Sequence, residues 1–463
     1  MFTNDTIAAI STPLGEGGIG IVRLSGKDPI EIVERIFSSS KNKSLKDLGS
    51  YKVIYGHIKD PVTGEGIDEV LVTVMHSPCS YTREDVVEIN CHSGMVTLRK
   101  TLELVLKEGA RLAEPGEFTK RAFINGRIDL TQAEAVLDLI KSKTDESRRI
   151  AIEQLQGGLS EKISTLRDGL KEICAHLEAY IDFPEDDIEI ATKEDMVASM
   201  KEIEKELQKL FKTYDEARFF REGLSTAIVG RPNVGKSSLL NAILQKDRAI
   251  VTALPGTTRD VIEEYLNVNG LPLRIMDTAG IRNVQNIAEK EGVKRSLQSI
   301  ENADIVIAVF DGSEPLKDED FEVIEKIKGK NAIIVLNKCD LPSAFDEIAL
   351  ASRLASCDSP VLNISAIRGD GLEELKDRIF NSSLKDWKEE REGVLITNLR
   401  HKIAIENSIA SLGRAMSGFT EKKPLEIISL ELRDSLDRLG EIVGAVTTED
   451  ILDSIFKNFC IGK

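Results

Sequence analysis

Residues 230–237 read Gly-Arg-Pro-Asn-Val-Gly-Lys-Ser, which fits the phosphate-loop pattern G-x-x-x-x-G-K-[ST] without a mismatch. An apolar run suited to a buried strand precedes this segment, and a helix-like run follows from Ser238. That order lets successive backbone N–H groups face phosphate oxygens at the N-terminus of a helix. We expect Lys236 to reach the β- and γ-phosphates and the Ser237 hydroxyl to bind Mg²⁺. The alternative is a chance glycine-rich turn.

Three further segments make that alternative untenable, because they follow in the order typical of GTP-binding domains. Residues 277–280 (Asp-Thr-Ala-Gly), 337–340 (Asn-Lys-Cys-Asp) and 365–367 (Ser-Ala-Ile) each come directly after an apolar, strand-like run. Asp340 can accept both the ring N–H and the exocyclic amine of guanine, a donor pair that adenine lacks. The segment 365–367 is expected to support guanine O6 through a backbone N–H. Together the motifs predict a GTP-binding domain.

The Mg²⁺ shell and the attacking water need further groups. Asp277 would hold Mg²⁺ through water, and Thr258 is the predicted switch threonine on the metal. Ile281 stands where Ras-type enzymes carry a glutamine that orients the attacking water, and isoleucine cannot do so. Glu289 and Glu291 are the nearest candidates. From the residues alone, each is equally compatible with a solvated loop.

Composition limits the class of protein. The chain of 463 residues is 41% apolar and 30% charged, which is typical of globular chains with two to four domains. The sequence contains no long apolar run typical of a membrane span and no signal-peptide pattern. Six scattered cysteines are expected to be reduced thiols in a cytosolic protein. A formal net charge of −17 argues against broad electrostatic binding of nucleic acid.

The hydrophobic pattern predicts four segments. Residues 1–118 mix four short β-like runs (6–10, 19–24, 69–75 and 85–89) with a helix at 96–106 and predict an α/β domain. Residues 119–220 and 383–463 carry apolar stripes at spacings of three and four, typical of amphipathic helices. The first of these helical patterns is expected to begin at about Leu130. Because each helical set has a face too apolar for water, we expect the two sets to pack together. The segment 221–382 is then an insertion in one helical domain. The alternative is two separate bundles.

Within the inserted segment, strand-like and helix-like runs alternate, as in a doubly wound parallel sheet. Asn269-Gly270 between two apolar runs predicts a hairpin. One antiparallel edge pair on a parallel sheet is the Ras-like arrangement. In contrast, residues 15–20 satisfy G-x-G-x-x-G but precede a strand-like run, so we expect a glycine turn between strands rather than a dinucleotide site. His92 beside Cys91 lacks the partners of a zinc site.

On these residues the chain resembles, from end to end, the MnmE (TrmE) family of tRNA modification GTPases, among the TrmE-Era-EngA-like GTPases. Within the inserted segment, the resemblance rests on 230–237, on Ala-Ile-Val-Thr (249–252) before Gly-Thr-Thr-Arg-Asp, and on Asp-Thr-Ala-Gly-Ile-Arg (277–282). Outside it, the matching stretches are Pro-Gly-Glu-Phe (115–118), residues 121–130 and the terminal Phe-Cys-Ile-Gly-Lys (459–463).

The resemblance implies a K⁺-stimulated GTPase that works with a flavoprotein, MnmG, on the wobble uridine of certain tRNAs. Together they would install an aminomethyl or carboxymethylaminomethyl group at uracil C5, with a one-carbon unit from a reduced folate. It also implies a cytoplasmic homodimer and a heterotetramer-type complex with MnmG, with no membrane partner. FAD would enter only through that partner. The implied fold is an N-terminal α/β folate-binding and dimerisation domain, followed by a Ras-like GTPase domain inserted in a discontinuous helical domain.

The resemblance also implies site residues. For K⁺ they are Asn233, Thr252, Leu254 (through its carbonyl) and Thr257, and for Mg²⁺ they are Ser237 and Thr258. Glu289 is favoured over Glu291 as the group that orients water, with Lys236 as the other catalytic residue. The full set for GTP is Asn233, Val234, Gly235, Lys236, Ser237, Ser238, Thr252, Thr257, Thr258, Asp277, Thr278, Ala279, Gly280, Asn337, Lys338, Asp340, Ser365, Ala366 and Ile367.

For the folate, the resemblance points to Arg23, Glu88, Arg127 and Lys463. Cations suit the glutamyl carboxylates, and a glutamate suits the donor edge of the pterin. The alternative for this set is an interface salt-bridge cluster. Cys460 is expected to be a small thiol near the site rather than a nucleophile, because nothing evident nearby activates it beyond two lysines.

Two rival functions differ in class. A GTP-gated interaction scaffold would not need the folate residues. A ribosome-assembly GTPase would be expected to carry a basic RNA-binding appendage, which the net charge of −17 and the tail do not support.

Overall fold

The computed structural model describes residues 5–40, 43–183, 192–247, 264–276, 299–344, 361–384 and 393–463. These residues belong to two compact units. The first contains the described residues up to Leu137 and those from Asp437 to the end. The second contains those between Asp138 and Leu436. The predicted division at 118, 220 and 382 stays a prediction.

The first unit is built on a seven-stranded sheet in the order β3-β4-β5-β6-β2-β1-β7. Neighbouring strands are antiparallel except β1 and β7, which are parallel. The strands are β1 (Ile7–Ile10), β2 (Gly17–Gly26), β3 (Phe37–Ser39), β4 (Lys52–Lys59), β5 (Gly66–Met75), β6 (Asp85–Ser93) and β7 (Arg111–Leu112).

Side chains alternate across this sheet, so one face is apolar and buried. Ile54, Val72 and Ile89 lie on that face and pack with residues of α1 (Pro29–Ile36) and α2 (Met95–Lys107). Three further helices are α3 (Glu117–Ile124), α4 (Leu130–Lys141) and α13 (Glu449–Phe456). Residues of α3, α4 and α13 share a second apolar cluster, which joins the C-terminal segment to the N-terminal half.

The second unit contains the long helices. They are α5 (Asp145–Leu155), α6 (Gly158–Asp182), α7 (Lys193–Glu222), α11 (Leu399–Thr420) and the first part of α12 (Leu425–Val443). The residues of α12 from Asp437 onward belong to the first unit. The two helical sets pack together as predicted: α7 lies against α11, Lys402 pairs with Asp215 at 2.7 Å and Arg433 pairs with Glu178 at 2.6 Å. The alternative of two separate bundles is therefore wrong.

The inserted segment carries a six-stranded sheet in the order β13-β12-β11-β8-β10-β9, parallel except for β9. Its strands are β8 (Leu224–Val229), β9 (Glu264–Val268), β10 (Leu271–Ile275), β11 (Ile305–Asp311), β12 (Ala332–Asn337) and β13 (Val361–Asn363). Its helices are α8 (Lys236–Asp247), α9 (Asp318–Ile327) and α10 (Leu372–Ser383). The predicted hairpin is confirmed: Asn269 and Gly270 have φ of 52° and 87°, the left-handed pair that a tight hairpin turn requires.

Two local predictions need correction. Strand β2 begins at Gly17, so the glycines at 17–20 lie within the strand and include an irregularity in register, and the turn is confined to the residues before them. Helical structure begins at Glu117, in α3, rather than near Leu130. In the described ranges, no helix has the length and apolar character needed to cross a membrane.

Candidate nucleotide site and a second, cationic site

The phosphate loop lies between β8 and α8, as its motif predicts. Lys236 Nζ donates to the carbonyls of Gly230 and Arg231 at 2.7 and 2.8 Å. Burial, followed by the nearby Arg231 charge, lowers the pKa of Lys236 to about 8. Burial disfavours the charged form of an ammonium group, and a bound phosphate would relieve this cost. The loop therefore fits the polyphosphate of a nucleotide.

Asn337 joins three motifs at the carboxyl end of the sheet. Its Nδ2 donates to the Val234 carbonyl at 2.8 Å, and its Oδ1 accepts the Ala366 N–H at 3.0 Å. Gly235 is required beside it, because a Cβ there would lie 2.1 Å from Asn337 Nδ2. The phosphate loop and the segments 337–340 and 365–367 are therefore held in one arrangement.

Asp340 lies at the predicted base pocket. Its Oδ1 accepts from Ser365 Oγ at 2.6 Å, and this bond holds the pKa of Asp340 below its ordinary value. Asp340 is therefore a charged acceptor at neutral pH, as recognition of the two guanine donors requires. Ser365 is fully buried, whereas the Ile367 side chain is 83% exposed, so the contribution expected from Ile367 is its backbone.

A further residue of the nucleotide site, Asp311, ends β11 and belongs to none of the sequence motifs. Asp311 is almost fully buried. Its carboxylate binds the Lys338 ammonium and accepts from the N–H and hydroxyl of Ser313, at 3.0 and 2.6 Å. A signal was available, since Asp311 directly follows the apolar run Ile305 to Phe310, just as Asp277 follows its own apolar run.

The metal ligands are only partly described. Ser237 is in the first turn of α8, where its hydroxyl suits Mg²⁺ beside a phosphate. Asn233 is exposed in the phosphate loop and has a φ of 65°, a strained value that asparagine tolerates and that is enriched at functional sites. Both side chains supply the oxygen donors that Mg²⁺ and K⁺ require. Among the described residues there is no cluster of three or more His, Cys, Asp or Glu side chains that could hold a metal.

The remaining predictions for this site fall outside the described residues. They concern the loop ligands, the motif that follows β10 and the residue that orients water: Thr252, Leu254, Thr257, Thr258, Asp277, Thr278, Ala279, Gly280, Glu289 and Glu291. Their roles stay predictions. Val234 is buried and Ser238 is exposed in the described part of the loop.

A second candidate site lies in the first unit, around Arg23. Arg23 and Glu88 are directly opposite each other on β2 and β6, and Arg23 Nε donates to Glu88 Oε1 at 2.8 Å. Arg23 also lies 5.7 Å above the centre of the Phe118 ring. Arg127 lies 4.7 Å above the Tyr81 ring, and Tyr81 is packed against the cluster that contains Phe118. Two guanidinium groups thus rest on two neighbouring aromatic rings.

The chain terminus reaches the same place. Gly462 packs so closely on β1 that a Cβ would lie 2.5 Å from the Ile10 carbonyl, and the Gly462 carbonyl accepts from Arg23 at 3.4 Å. Burial, followed by repulsion from Arg23, lowers the pKa of Lys463. Cys460 is exposed. The structure thus groups Arg23, Glu88 and Lys463. Arg127 joins this cluster through the neighbouring Tyr81 and Phe118 rings.

The charge of this cluster indicates its ligand. Three cationic side chains lie together with one carboxylate side chain, in a chain whose net charge is −17. Among the described residues, neither Arg127 nor Lys463 forms a side-chain ion pair. The excess of cationic side chains therefore suits an anionic ligand that also presents hydrogen-bond donors to Glu88. An internal salt-bridge cluster would be expected to balance its charges.

Comparison with known proteins identifies the family of the chain. Residues 6–127 match the family described as "GTP-binding protein TrmE N-terminus", and residues 130–460 match "MnmE helical domain". The tRNA modification GTPase MnmE of Alkaliphilus oremlandii is 48% identical over 463 residues, with 100% of both chains covered. The proteins of the same name from Clostridioides difficile and Thermoanaerobacter sp. are 48% and 49% identical, over 100% and 99% of each chain. With a full-length match at this identity and a phosphate loop joined to a guanine motif, the chain is a GTP hydrolase that belongs to the MnmE family of tRNA modification GTPases.

Proposed function

We propose that this GTPase is stimulated by K⁺ and acts with the flavoprotein MnmG on tRNA. Together they install an aminomethyl or carboxymethylaminomethyl group at C5 of the wobble uridine of certain tRNAs. The one-carbon unit comes from a reduced folate bound at the Arg23 cluster. The observation that carries the proposal is the coexistence, in one chain, of the joined guanine-nucleotide motifs and a cluster in which Arg23, Arg127 and Lys463 outnumber Glu88.

The nucleotide site supplies positioning and charge. Lys236 and the loop N–H groups bind the β- and γ-phosphates, and Asp340 selects guanine. Mg²⁺ on Ser237 and Thr258, and K⁺ on Asn233, Thr252, Leu254 and Thr257, would add positive charge where negative charge develops on the phosphates. Glu289 orients the attacking water. The support for Glu289 and for the loop residues Thr252, Leu254, Thr257 and Thr258 is the family resemblance.

The pocket around Arg23 supplies substrate binding. Arg127 and Lys463 attract the glutamyl carboxylates, and Glu88 accepts from the pterin edge. The Arg23–Glu88 ion pair fixes the direction of the Glu88 carboxylate. FAD is supplied by MnmG.

A homodimer through the first unit is supported by an exposed apolar sheet face. Val53, Tyr55 and Leu71 lie on the face of β4 and β5 that is turned away from the core, and 43–58% of their surface is accessible. Tyr55 and Leu71 are directly opposite each other. An apolar group of this kind on a sheet is typical of an interface.

We further propose that the homodimer forms a complex of heterotetramer type with MnmG. The complex functions in the cytoplasm, because its substrate is tRNA.

Folate binding separates this proposal from a GTP-gated scaffold. Calorimetric titration of the full-length chain with 5-formyltetrahydrofolate should give one site per chain. Arg127→Ala should weaken this binding at least tenfold, whereas Arg99→Ala, which removes an exposed arginine of α2, should leave it unchanged. GDP affinity should be the same in all three proteins. Undetectable folate binding by the wild-type chain, with normal GDP binding, would favour the scaffold.

The tRNA reaction itself is tested by reconstitution. Purified chain, MnmG, GTP and reduced folate are incubated with tRNA from cells that lack the chain, and the nucleosides are analysed by mass spectrometry. We expect a new C5-substituted uridine that requires every component. Unmodified uridine in the complete mixture would contradict the proposal even if GTP is hydrolysed.

A further inference from the structure

Lys338 of the guanine motif has an unusual backbone. Its φ is 68°, in the left-handed region that L-residues other than glycine, asparagine and aspartate rarely occupy. Such strain persists only where the surrounding structure determines the conformation. The side chain has a specific tether, because its ammonium group binds the buried carboxylate of Asp311. The strained residue and its tether therefore form one unit.

Asp311 is built into the end of the sheet. It is directly opposite Asn337, the residue before Lys338, and the following Gly312 N–H donates to the Asn337 carbonyl at 2.8 Å. Two bonds from Ser313 fix the direction of the carboxylate. Burial alone would raise the pKa of Asp311, but the bonds from Lys338 and Ser313 outweigh it and keep the pKa below its usual value.

The tether determines where the lysine stem lies. Neighbouring strands are about 4.8 Å apart, so a lysine that follows β12 and binds the end of β11 must extend its methylene groups across the gap between them. Asp340, two residues further on, is the acceptor for the base. The stem thus crosses the carboxyl edge of the sheet close to the guanine acceptor.

We propose that Asp311 is a positioning residue for nucleotide binding, which acts through Lys338 and has no contact with the base. Its carboxylate holds the ammonium group so that the lysine stem forms one wall of the base pocket before the nucleotide arrives. Without this anchor, Lys338 samples many rotamers, and ordering them again opposes binding. The proposal rests on the assignment of residues 337–340 to the guanine site.

The test is the rate at which a fluorescent GDP analogue dissociates from the full-length chain. Asp311→Asn and Lys338→Met should each raise this rate about tenfold, the usual scale for a bond between charged groups. The double variant should dissociate no faster than Lys338→Met alone. Asp304→Asn is the matched control. It lies just before the opposite end of β11, where its carboxylate binds Arg218 and the Ser225 N–H, at 2.8 and 3.0 Å.

The outcomes separate the possible failures. If Asp311→Asn and Asp304→Asn lower the unfolding midpoint equally but only the first speeds dissociation, the positioning role is supported. If the dissociation rate of the double variant rises by the product of the two single-variant factors, the positioning role is overturned, because Asp311 would then act without Lys338. If Lys338→Met accelerates dissociation and Asp311→Asn does not, the positioning role alone fails. An unchanged rate in Lys338→Met would remove both the positioning role and the base-pocket assignment of Lys338.

Discussion

Asn337 Nδ2 donates to the Val234 carbonyl at 2.8 Å, while the Oδ1 atom of the same side chain accepts the Ala366 N–H at 3.0 Å. One buried amide thus connects the phosphate loop to the segment expected to contact guanine O6. A nucleotide that binds both segments gains from their being held together in advance.

Asn337→Asp should separate these two bonds, because a carboxylate keeps the acceptor for Ala366 and loses the donor to Val234. We expect GTP and GDP affinities to fall by the same factor, about 10- to 100-fold, since an unsatisfied buried group costs about 1–3 kcal/mol. Preference for GTP over ATP should persist because Asp340 is intact. Asn363→Asp, on the exposed side of β13, is the control. A loss of affinity for GTP only would contradict a purely connecting role.

The lowered pKa of Lys236 predicts a pH dependence of nucleotide binding. In the free chain the ammonium loses its proton as pH rises through about 8, whereas bound phosphate stabilises the charged form and raises this pKa. Binding therefore takes up a proton above pH 8, and GDP affinity should fall as pH rises from 7.5 to 9. Arginine stays charged in this range, so Lys236→Arg should lack the pH dependence, whatever its absolute affinity. A flat wild-type profile would show that Lys236 has an ordinary pKa.

If the cluster around Arg23 binds a folate, the Tyr81 ring should contribute to that binding. Its hydroxyl forms a hydrogen bond with Thr119 Oγ1 at 2.9 Å, and its ring supports the Arg127 guanidinium. Tyr81→Phe keeps the ring, so folate affinity should change less than twofold. Tyr81→Leu removes a cation–π contact worth about 0.5–1 kcal/mol and should weaken folate binding roughly three- to fivefold. Calorimetric titration of both variants with the folate measures these affinities. Equal losses of affinity in the two variants would assign the contribution of Tyr81 to its hydroxyl.

The sheet face of β4 and β5 predicts the oligomeric state. Leu71→Lys places a charge in the exposed apolar group and should convert a dimer into a monomer, which light scattering after size-exclusion chromatography measures directly. Val62→Lys, at a loop residue that is 91% exposed, should leave the mass unchanged. A dimer that survives Leu71→Lys must use another surface.

Glu289 predicts a split between catalysis and binding. If it orients the attacking water, Glu289→Ala should lower the rate of GTP hydrolysis at saturating GTP and leave GTP affinity nearly unchanged. Glu291→Ala is the matched control and should hydrolyse GTP normally. Equal losses of rate and affinity in Glu289→Ala would assign Glu289 to nucleotide binding instead.

The proposed K⁺ site predicts a cation preference. The rate of GTP hydrolysis at matched ionic strength should be faster in KCl than in NaCl, and equal rates in the two salts would contradict the K⁺ site.

Local patterns were sufficient for much of the fold. The apolar run before Gly230, the hairpin pair at Asn269 and Gly270 and the helical stripes each depend on short-range periodicity, and each appears in the structure. Strand β4 is not predicted by the pattern, because its exposed face carries the large apolar residues Val53 and Tyr55. Apolar and polar residues therefore do not alternate along this strand as they do in a typical half-buried strand. The early start of α3 was missed as well, since Gly116 begins it in a left-handed conformation without a capping side chain.

The site shows the same division between local and long-range information. Motif residues such as Lys236 and Asp340 were found because their spacing is fixed by one loop each. Asp311 and Tyr81 act through partners 27 and 38 residues away along the chain. No local spacing relates such pairs, so only the sheet order and the packing of α3 bring them together. Family resemblance points to Arg23 and Glu88 as separate site residues, and their cross-strand register explains why they lie together.

The most direct test of the central claim exchanges the base that the chain prefers. Xanthine carries a carbonyl where guanine has its exocyclic amine, so an amide at position 340 complements xanthine as the Asp340 carboxylate complements guanine. Hydrolysis of GTP and XTP is therefore compared in the wild-type chain and in Asp340→Asn. The wild type should prefer GTP and the variant should prefer XTP, each by at least tenfold. An unchanged preference for GTP in the variant would show that Asp340 does not read the base, and would contradict the proposed nucleotide site.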